Sequence, residues 1–226
     1  MRTVSLLSLT TLLALPLAAQ NPADPDKNVA GTGTLPAGWS ARLDRATDSL
    51  KNLKFGPMGP GLHVTTGPSG IFWREADAVP GSFHTIATFT QTKALVTHHE
   101  AMGIFVAGKD INSPTASYVY LIVRGDGMFS IRQGGAQGAP STNLTTGGNR
   151  NGWLASDAAV KTDSAGKMTN TLEISGDAAS KKLTFKINGK QVAQIDAPNG
   201  DVGGLVGIRV NHNLDVHIDG FAVHKM

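Results

Sequence analysis

Two short stretches concentrate the side chains that could bind a metal or move a proton. In His98-His99-Glu100, an extended chain puts His98 and Glu100 on one face, as in a His–carboxylate dyad or a pair of metal ligands. The second stretch is Asn211-His212-Asn213-Leu214-Asp215-Val216-His217, where Asp215 and His217 project together and His212 lies in the adjoining turn. His98, His212, Asp215 and His217 are the candidate ligands for a divalent metal, the only cofactor the residues suggest. Glu100, His98 and His217 are the candidate catalytic groups. Each stretch also has a plainer reading, as a polar loop before a strand and as a tight Asn turn followed by a solvated strand face. A combined site of His98, Glu100, His212 and His217 needs the two segments to be neighbours in space.

A third group is aromatic and cationic. In Tyr118-Val119-Tyr120-Leu121-Ile122-Val123-Arg124 the period-2 alternation puts Val119, Leu121 and Val123 on a core face and Tyr118, Tyr120 and Arg124 on the other. Trp73 from an earlier strand and Arg209 from a later one, with Asn211 on the same side, are candidates to join them. Aromatic rings beside guanidinium groups can stack on a small ring and hydrogen-bond its hydroxyls; they can equally pack a second layer on a curved sheet.

Composition removes several chemistries. The chain has 226 residues and no Cys, so disulfides, thiolate zinc, iron–sulfur ligation and cysteine nucleophiles are absent. Net charge is +3 with Lys and Arg scattered, which does not describe a nucleic-acid groove. No phosphate-binding glycine loop, dinucleotide fingerprint or H-E-x-x-H occurs, and Ser164-Ala165-Gly166-Lys167 sits in a turn without a partner motif. The carboxylates are lopsided, with 17 Asp plus Glu but only Glu75, Glu100 and Glu173 among the glutamates.

These groups must be positioned by strands. Residues 1–19 read as a secretory leader, with Arg2, a short apolar run and small residues at its end, and predict export to the periplasm or outside the cell. Residues 20–34, rich in Pro, Asp and Gly, read as a disordered linker, and residues 35–226 as a single domain. No apolar segment is long enough to predict a membrane span. Residues 39–53 are the sole helical candidate; the rest is on the order of ten to twelve short strands cut by Gly, Pro, Asn and Asp. Three hairpins are expected: residues 61–65 with 71–74, residues 118–124 with 128–133 around Gly125-Asp126-Gly127, and residues 182–187 with 190–195 around Asn188-Gly189. Residues 205–211 and 214–223 are expected to pair as the last two strands. The pattern predicts an all-β, two-sheet antiparallel β-sandwich of jelly-roll type.

Residues 120–127 (YLIVRGDG) and 183–192 (LTFKINGKQV), with residues 204–210 (GLVGIRV) leading to 216–221 (VHIDGF), resemble the concanavalin A-like lectin/glucanase superfamily. The resemblance spans most of residues 61–226. It comes closest to laminin-G-like jelly-roll modules, which bind sugars or proteins, and to a bacterial 3-keto-disaccharide hydrolase domain family, with a departure from the latter at Val106. The glucanase branch uses two Glu on one strand in an E-x-D-x-x-E pattern, and the three glutamates here lie too far apart in sequence to make it. The resemblance therefore implies a carbohydrate- or cell-envelope-ligand-binding module. Its alternative is a hydrolase of 3-keto-glycosides working through the His/Glu/Asp cluster.

Overall fold

The computed structural model describes residues 29–92 and 99–226. The leader, most of the linker and His98 lie outside the described residues. Fifteen strands occur among those residues. The first eight are β1 (Trp39–Leu43), β2 (Leu53–Met58), β3 (Gly61–Thr66), β4 (Gly70–Arg74), β5 (Phe83–Gln91), β6 (Ala101–Lys109), β7 (Ser117–Arg124) and β8 (Met128–Gly134). Then come β9 (Thr142–Asn143), β10 (Leu154–Ala155), β11 (Met168–Asp177), β12 (Lys182–Ile187), β13 (Lys190–Asp196), β14 (Leu205–Val210) and β15 (Asp215–Lys225).

They form two antiparallel sheets. The first runs β1-β4-β14-β6-β7-β8-β10, with β9 also on β8, and the second runs β13-β12-β11-β5-β15-β3-β2. The expected all-β sandwich is the observed one. The main core lies between the sheets, where alternate residues such as Phe89, Leu121, Phe185 and Val216 are buried. β6, at the middle of the first sheet, is buried along nearly its whole length, as its apolar run predicts. The β7–β8 hairpin turns at Gly127 with φ +79°, and β12–β13 turns at Asn188 and Gly189 with φ +51° and +78°, the left-handed pair of a type I′ turn.

Three expectations are corrected. Residues 39–53 hold no α-helix: β1 and β2 bracket one 3-10 turn, Leu50–Asn52. Trp39, Ala41 and Leu43 alternate with Ser40 and Arg42, and β1 pairs with β4 at all five residues, so period 2 and tertiary pairing outweigh helix propensity. Residues 61–65 and 71–74 form no hairpin, because β3 belongs to the second sheet and β4 to the first. β14 and β15 likewise lie in different sheets and do not pair.

Both corrected corners cross from sheet to sheet, and they do so side by side. The Thr66 N–H donates to the Leu214 carbonyl at 2.8 Å and the Asn213 N–H to the Gly67 carbonyl at 3.1 Å. Asn213 takes φ +57° at the corner, a conformation Asn tolerates better than most residues. The Thr66 hydroxyl, fully buried, donates to the Asn211 carbonyl at 2.7 Å and accepts from the Leu214 N–H at 3.2 Å. Two apolar faces on successive strands thus reach one core from opposite sheets, which a tight hairpin would not allow. Thr66→Val, which keeps the shape but removes the hydroxyl, is expected to cost about 1–3 kcal/mol by leaving both backbone groups unpaired. Thr66→Ser should cost distinctly less, and urea denaturation of both variants measures the difference.

Candidate ligand-binding site

The face of the first sheet turned away from the main core carries its own apolar cluster: Ile71, Trp73, Phe105, Tyr118, Tyr120 and Ile122. Strand register explains how these side chains meet. One row across the sheet runs Trp73, Gly207, Phe105, Tyr120 and Arg132; the next runs Arg42, Ile71, Arg209, Gly103, Ile122 and Ser130. Glycines make room for the rings. A Cβ on Gly134 would lie 2.2 Å from the Tyr118 ring, and one on Gly207 would lie 2.5 Å from the Phe105 ring. Tyr118 stacks on Tyr120 at 5.6 Å between centroids, with Phe105 edge-on to Tyr118 at 5.7 Å.

Arg209 crosses this floor while only 7% exposed. Its guanidinium makes a two-pronged pair with the Asp44 carboxylate, Nη2 to Oδ2 at 2.6 Å and Nη1 to Oδ1, and its carbon sits 5.5 Å from the Tyr120 ring centroid. Asp44 directly follows β1 and is held by its backbone, its N–H donating to the Ser69 carbonyl and its carbonyl accepting from the Gly138 N–H. Burial opposes the Asp44 charge, but Arg209, with Arg42 and Arg45 nearby, holds the carboxyl below its ordinary value. Burial likewise works against the charged Arg209, and Asp44 more than reverses it. Burial also pushes the Tyr118 hydroxyl up, so it stays protonated.

The network continues along one edge. Arg209 Nη2 donates to Asn211 Oδ1 at 3.1 Å, Asn211 Nδ2 to Glu100 Oε2 at 3.0 Å, and Glu100 Oε1 is hydrogen-bonded to His212 Nε2 at 2.7 Å. On the other side Trp153 lies under two guanidiniums, Arg124 at 4.4 Å and Arg132 at 5.2 Å from its ring. Arg42 lies 5.3 Å from the Tyr118 ring. Above this floor opens a pocket of about 290 Å³ lined by Arg42, Arg132, Arg209, Tyr118, Tyr120 and Trp153, among others. It shares Asp44, Arg45, Arg209 and Asn211 with a neighbouring hollow of about 480 Å³ that ends on Glu100 and His212.

The structure sorts the sequence candidates. Tyr118, Tyr120 and Arg209 line the pocket. Arg124 is paired with Asp126 at 2.7 Å and reaches the site through Trp153. Trp73 is 1% exposed, donates to Glu75 at 2.8 Å and lies in the floor, so its ring is not offered to a ligand. Glu100 and His212 meet each other; His98 lies outside the described residues. His217 is corrected to the far side of the molecule: the corner between β14 and β15 sends it to the outer face of the second sheet, opposite His63. Asp215 goes there too, bonded to His63 at 2.7 Å, while His217 bonds Asp219 at 3.1 Å. The proposed metal set of His212, Asp215 and His217 is therefore split between sheets, and no group of three or more His, Asp or Glu able to hold a metal occurs among the described residues.

Sequence reasoning missed Asp44, Arg42, Arg132 and Trp153. The first two sit in the segment read as a helix, where the alternation Trp39, Ala41, Leu43 was the available signal. Arg132 follows from the β7–β8 register opposite Tyr120. Trp153 arrives from a loop, which no periodicity announces.

Fold and site together define a two-sheet antiparallel β-sandwich with an arginine- and tyrosine-lined pocket on one sheet. Among solved structures it is similar to the carbohydrate binding module CBM66 from Bacillus subtilis, at 9% identity and TM-score 0.56, over 87% of this chain and 99% of that one. It is also similar to a Bacillus subtilis protein of unknown function with a galectin-like fold, at 14% identity and TM-score 0.56, over 83% and 89% of the two chains. Both likenesses are of fold. Neither a protein-family model nor a curated protein matches the chain.

Asp44→Asn is expected to leave Arg209 charged and short of its counter-ion. Because the Asp44 side chain is 39% exposed, solvent screening holds the cost to about 1–3 kcal/mol, below that of breaking a fully buried pair. The sign with pH follows from the lowered carboxyl. The pair's stabilisation is present above the ordinary value of about 4 and is lost as pH falls through the lower folded value. Thermal melts between neutral and acid pH should show a smaller acid-side loss in Asp44→Asn than in the wild type.

Proposed function

We propose that this protein is an exported carbohydrate-binding module whose ligand docks in the pocket on the first sheet. The observation that carries the reading is the pocket itself: tyrosine edges and the Trp153 indole form its apolar floor, and guanidinium groups converge above them. Sugars offer the matching surfaces, apolar C–H faces and a ring of hydroxyls, and sites for small ligands commonly combine an apolar lining with a few fixed polar groups. The volume, about 290 Å³, falls just below the roughly 300–1,000 Å³ usual for such sites and suits one or two sugar units of a longer chain. That CBM66 is a carbohydrate binding module supports the reading, and the leader read over residues 1–19 supports export to where glycans are found.

A second reading has its own observation. The Glu100–His212 pair stands at the end of the hollow that adjoins the pocket, within one hydrogen-bonded chain from Arg209. A carboxylate that orients an imidazole is the arrangement needed to take a proton from, and return one to, a bound substrate. We propose hydrolysis of 3-keto-glycosides as the reaction this pair would serve, with the pocket holding the sugar.

Affinity electrophoresis of the secreted protein through gels cast with a panel of polysaccharides separates the readings from inertness. At least one polysaccharide should retard it, and Trp153→Ala should weaken that retention about tenfold or more, as loss of a buried aromatic anchor does. Migration unchanged in every gel would count decisively against binding. For the second reading, Glu100→Gln should retain binding while abolishing release of 3-keto-glucose from a 3-keto-disaccharide. Absence of turnover by the wild type would remove that reading and leave the first.

A further inference from the structure

The charge in the pocket is out of balance, and the excess is arginine. Its lining includes Arg42, Arg45, Arg132 and Arg209 but a single carboxylate, Asp44. That carboxylate is occupied by the two-pronged pair with Arg209. Arg45 has Asp48 at 3.3 Å. The other two are held by neutral oxygens. Arg132 donates to Ser130 Oγ at 3.0 Å, to Ser141 Oγ at 3.4 Å and to the Asn151 carbonyl at 2.6 Å. Arg42 donates to the carbonyls of Ile111 and Gly135.

Neutral acceptors fix the orientation of a guanidinium without cancelling its charge. Half-buried and pre-oriented, Arg42 and Arg132 keep their charge and the N–H groups those oxygens leave unused, and their field is less screened than it would be in open water. A neutral sugar would leave that charge uncancelled, because its hydroxyls can accept hydrogen bonds but carry no charge. A carboxylate supplies the missing negative charge together with acceptors for the remaining N–H groups.

Resting on the carbohydrate-binding reading above, we propose that the ligand of this pocket is an acidic sugar. Its ring carboxylate is met by Arg42 and Arg132, and its ring lies over the tyrosine and Trp153 floor. The cationic groups are gathered round one small pocket rather than strung along a groove, and the net charge of the whole chain is only +3. That is the pattern for one anionic group on a compact ring and not for a polyanion backbone.

Isothermal titration tests this with oligomers of galacturonate, mannuronate and glucuronate, each compared with its own carboxyl-reduced form. At least one acid oligomer should bind at least tenfold more tightly than its reduced form, and the preference should shrink as salt is raised to roughly 0.5 M. Arg132→Gln should abolish the preference and Arg132→Lys should restore part of it, with thermal melts confirming that both variants fold. If Arg132→Gln does not fold, Arg42→Gln gives the same readout from the other side of the pocket. Equal binding of acid and reduced oligomers would overturn the proposal and leave sugar binding intact. Dextran sulfate binding as tightly as every uronate would overturn the carboxylate assignment. Failure of these oligomers and of every neutral polysaccharide to bind would overturn the carbohydrate reading itself, and this proposal with it.

Discussion

The pocket depends on one ion pair, Asp44 with Arg209. Arg209 lies on β14, well inside the first sheet, and is almost wholly removed from water. A guanidinium in that position must find a counter-charge, and the strand's own neighbours do not supply it: register puts Ile71 on one side and Gly103 on the other. The carboxylate comes instead from the residue after β1, the edge strand beyond β4, and it reaches Arg209 only because backbone bonds to Ser69 and Gly138 pin it there. The Gly138 bond ties residues 136–139, which line the pocket, to the same anchor. Edge strand, loop and central strand are thereby joined through a single charge pair.

The pair also determines what the rest of the face can do. With Asp44 committed, the polar chain runs outward through Asn211 to Glu100 and His212 in one direction, while Arg42 and Arg132 remain charged over the aromatic floor in the other. The floor can be that aromatic only because Gly134 and Gly207 stand directly beneath rings. Any side chain there would lift Tyr118 or Phe105 into the space the ligand is proposed to use. Packing, not solvent exposure, keeps Tyr118 and Tyr120 in place, so the rings offer edges and hydroxyls to the pocket more than open faces.

Alternation made half of this legible from the amino-acid sequence. Tyr118 and Tyr120 separate from Val119, Leu121 and Val123 by period 2, and Arg209 separates in the same way from Ile208 and Val210; local sequence is sufficient there because each strand is buried on a known face. Asp44 and Arg42 were hidden by a local ambiguity: Trp39 to Leu43 is a five-residue strand whose polar neighbours also suit a helix, and only pairing with β4 decides between them. Trp153 was hidden because a loop has no period. The turns that depend on backbone conformation, Gly127 and Asn188-Gly189, were readable because their chemistry is local. The two sheet-to-sheet corners were not, since a short Gly/Pro or Asn segment serves a hairpin and a crossing equally well, and the choice is made by pairing with strands distant in sequence.

The second of those corners shows why proximity in sequence misleads about chemistry in this fold. Within nine residues, Arg209 and Asn211 face the pocket, His212 turns to Glu100, and Asp215 and His217 emerge on the outer face of the other sheet beside His63. A sandwich closes its core by sending some successive strands to opposite sheets, as β3 to β4 and β14 to β15 do here, and each such crossing carries the next polar face to the far side of the molecule. The histidines of residues 211–217 are thus separated by the very core they help to close. His212 belongs to the arginine network through Glu100; His217, with His63, Asp215 and Asp219, belongs to the outer face of the other sheet.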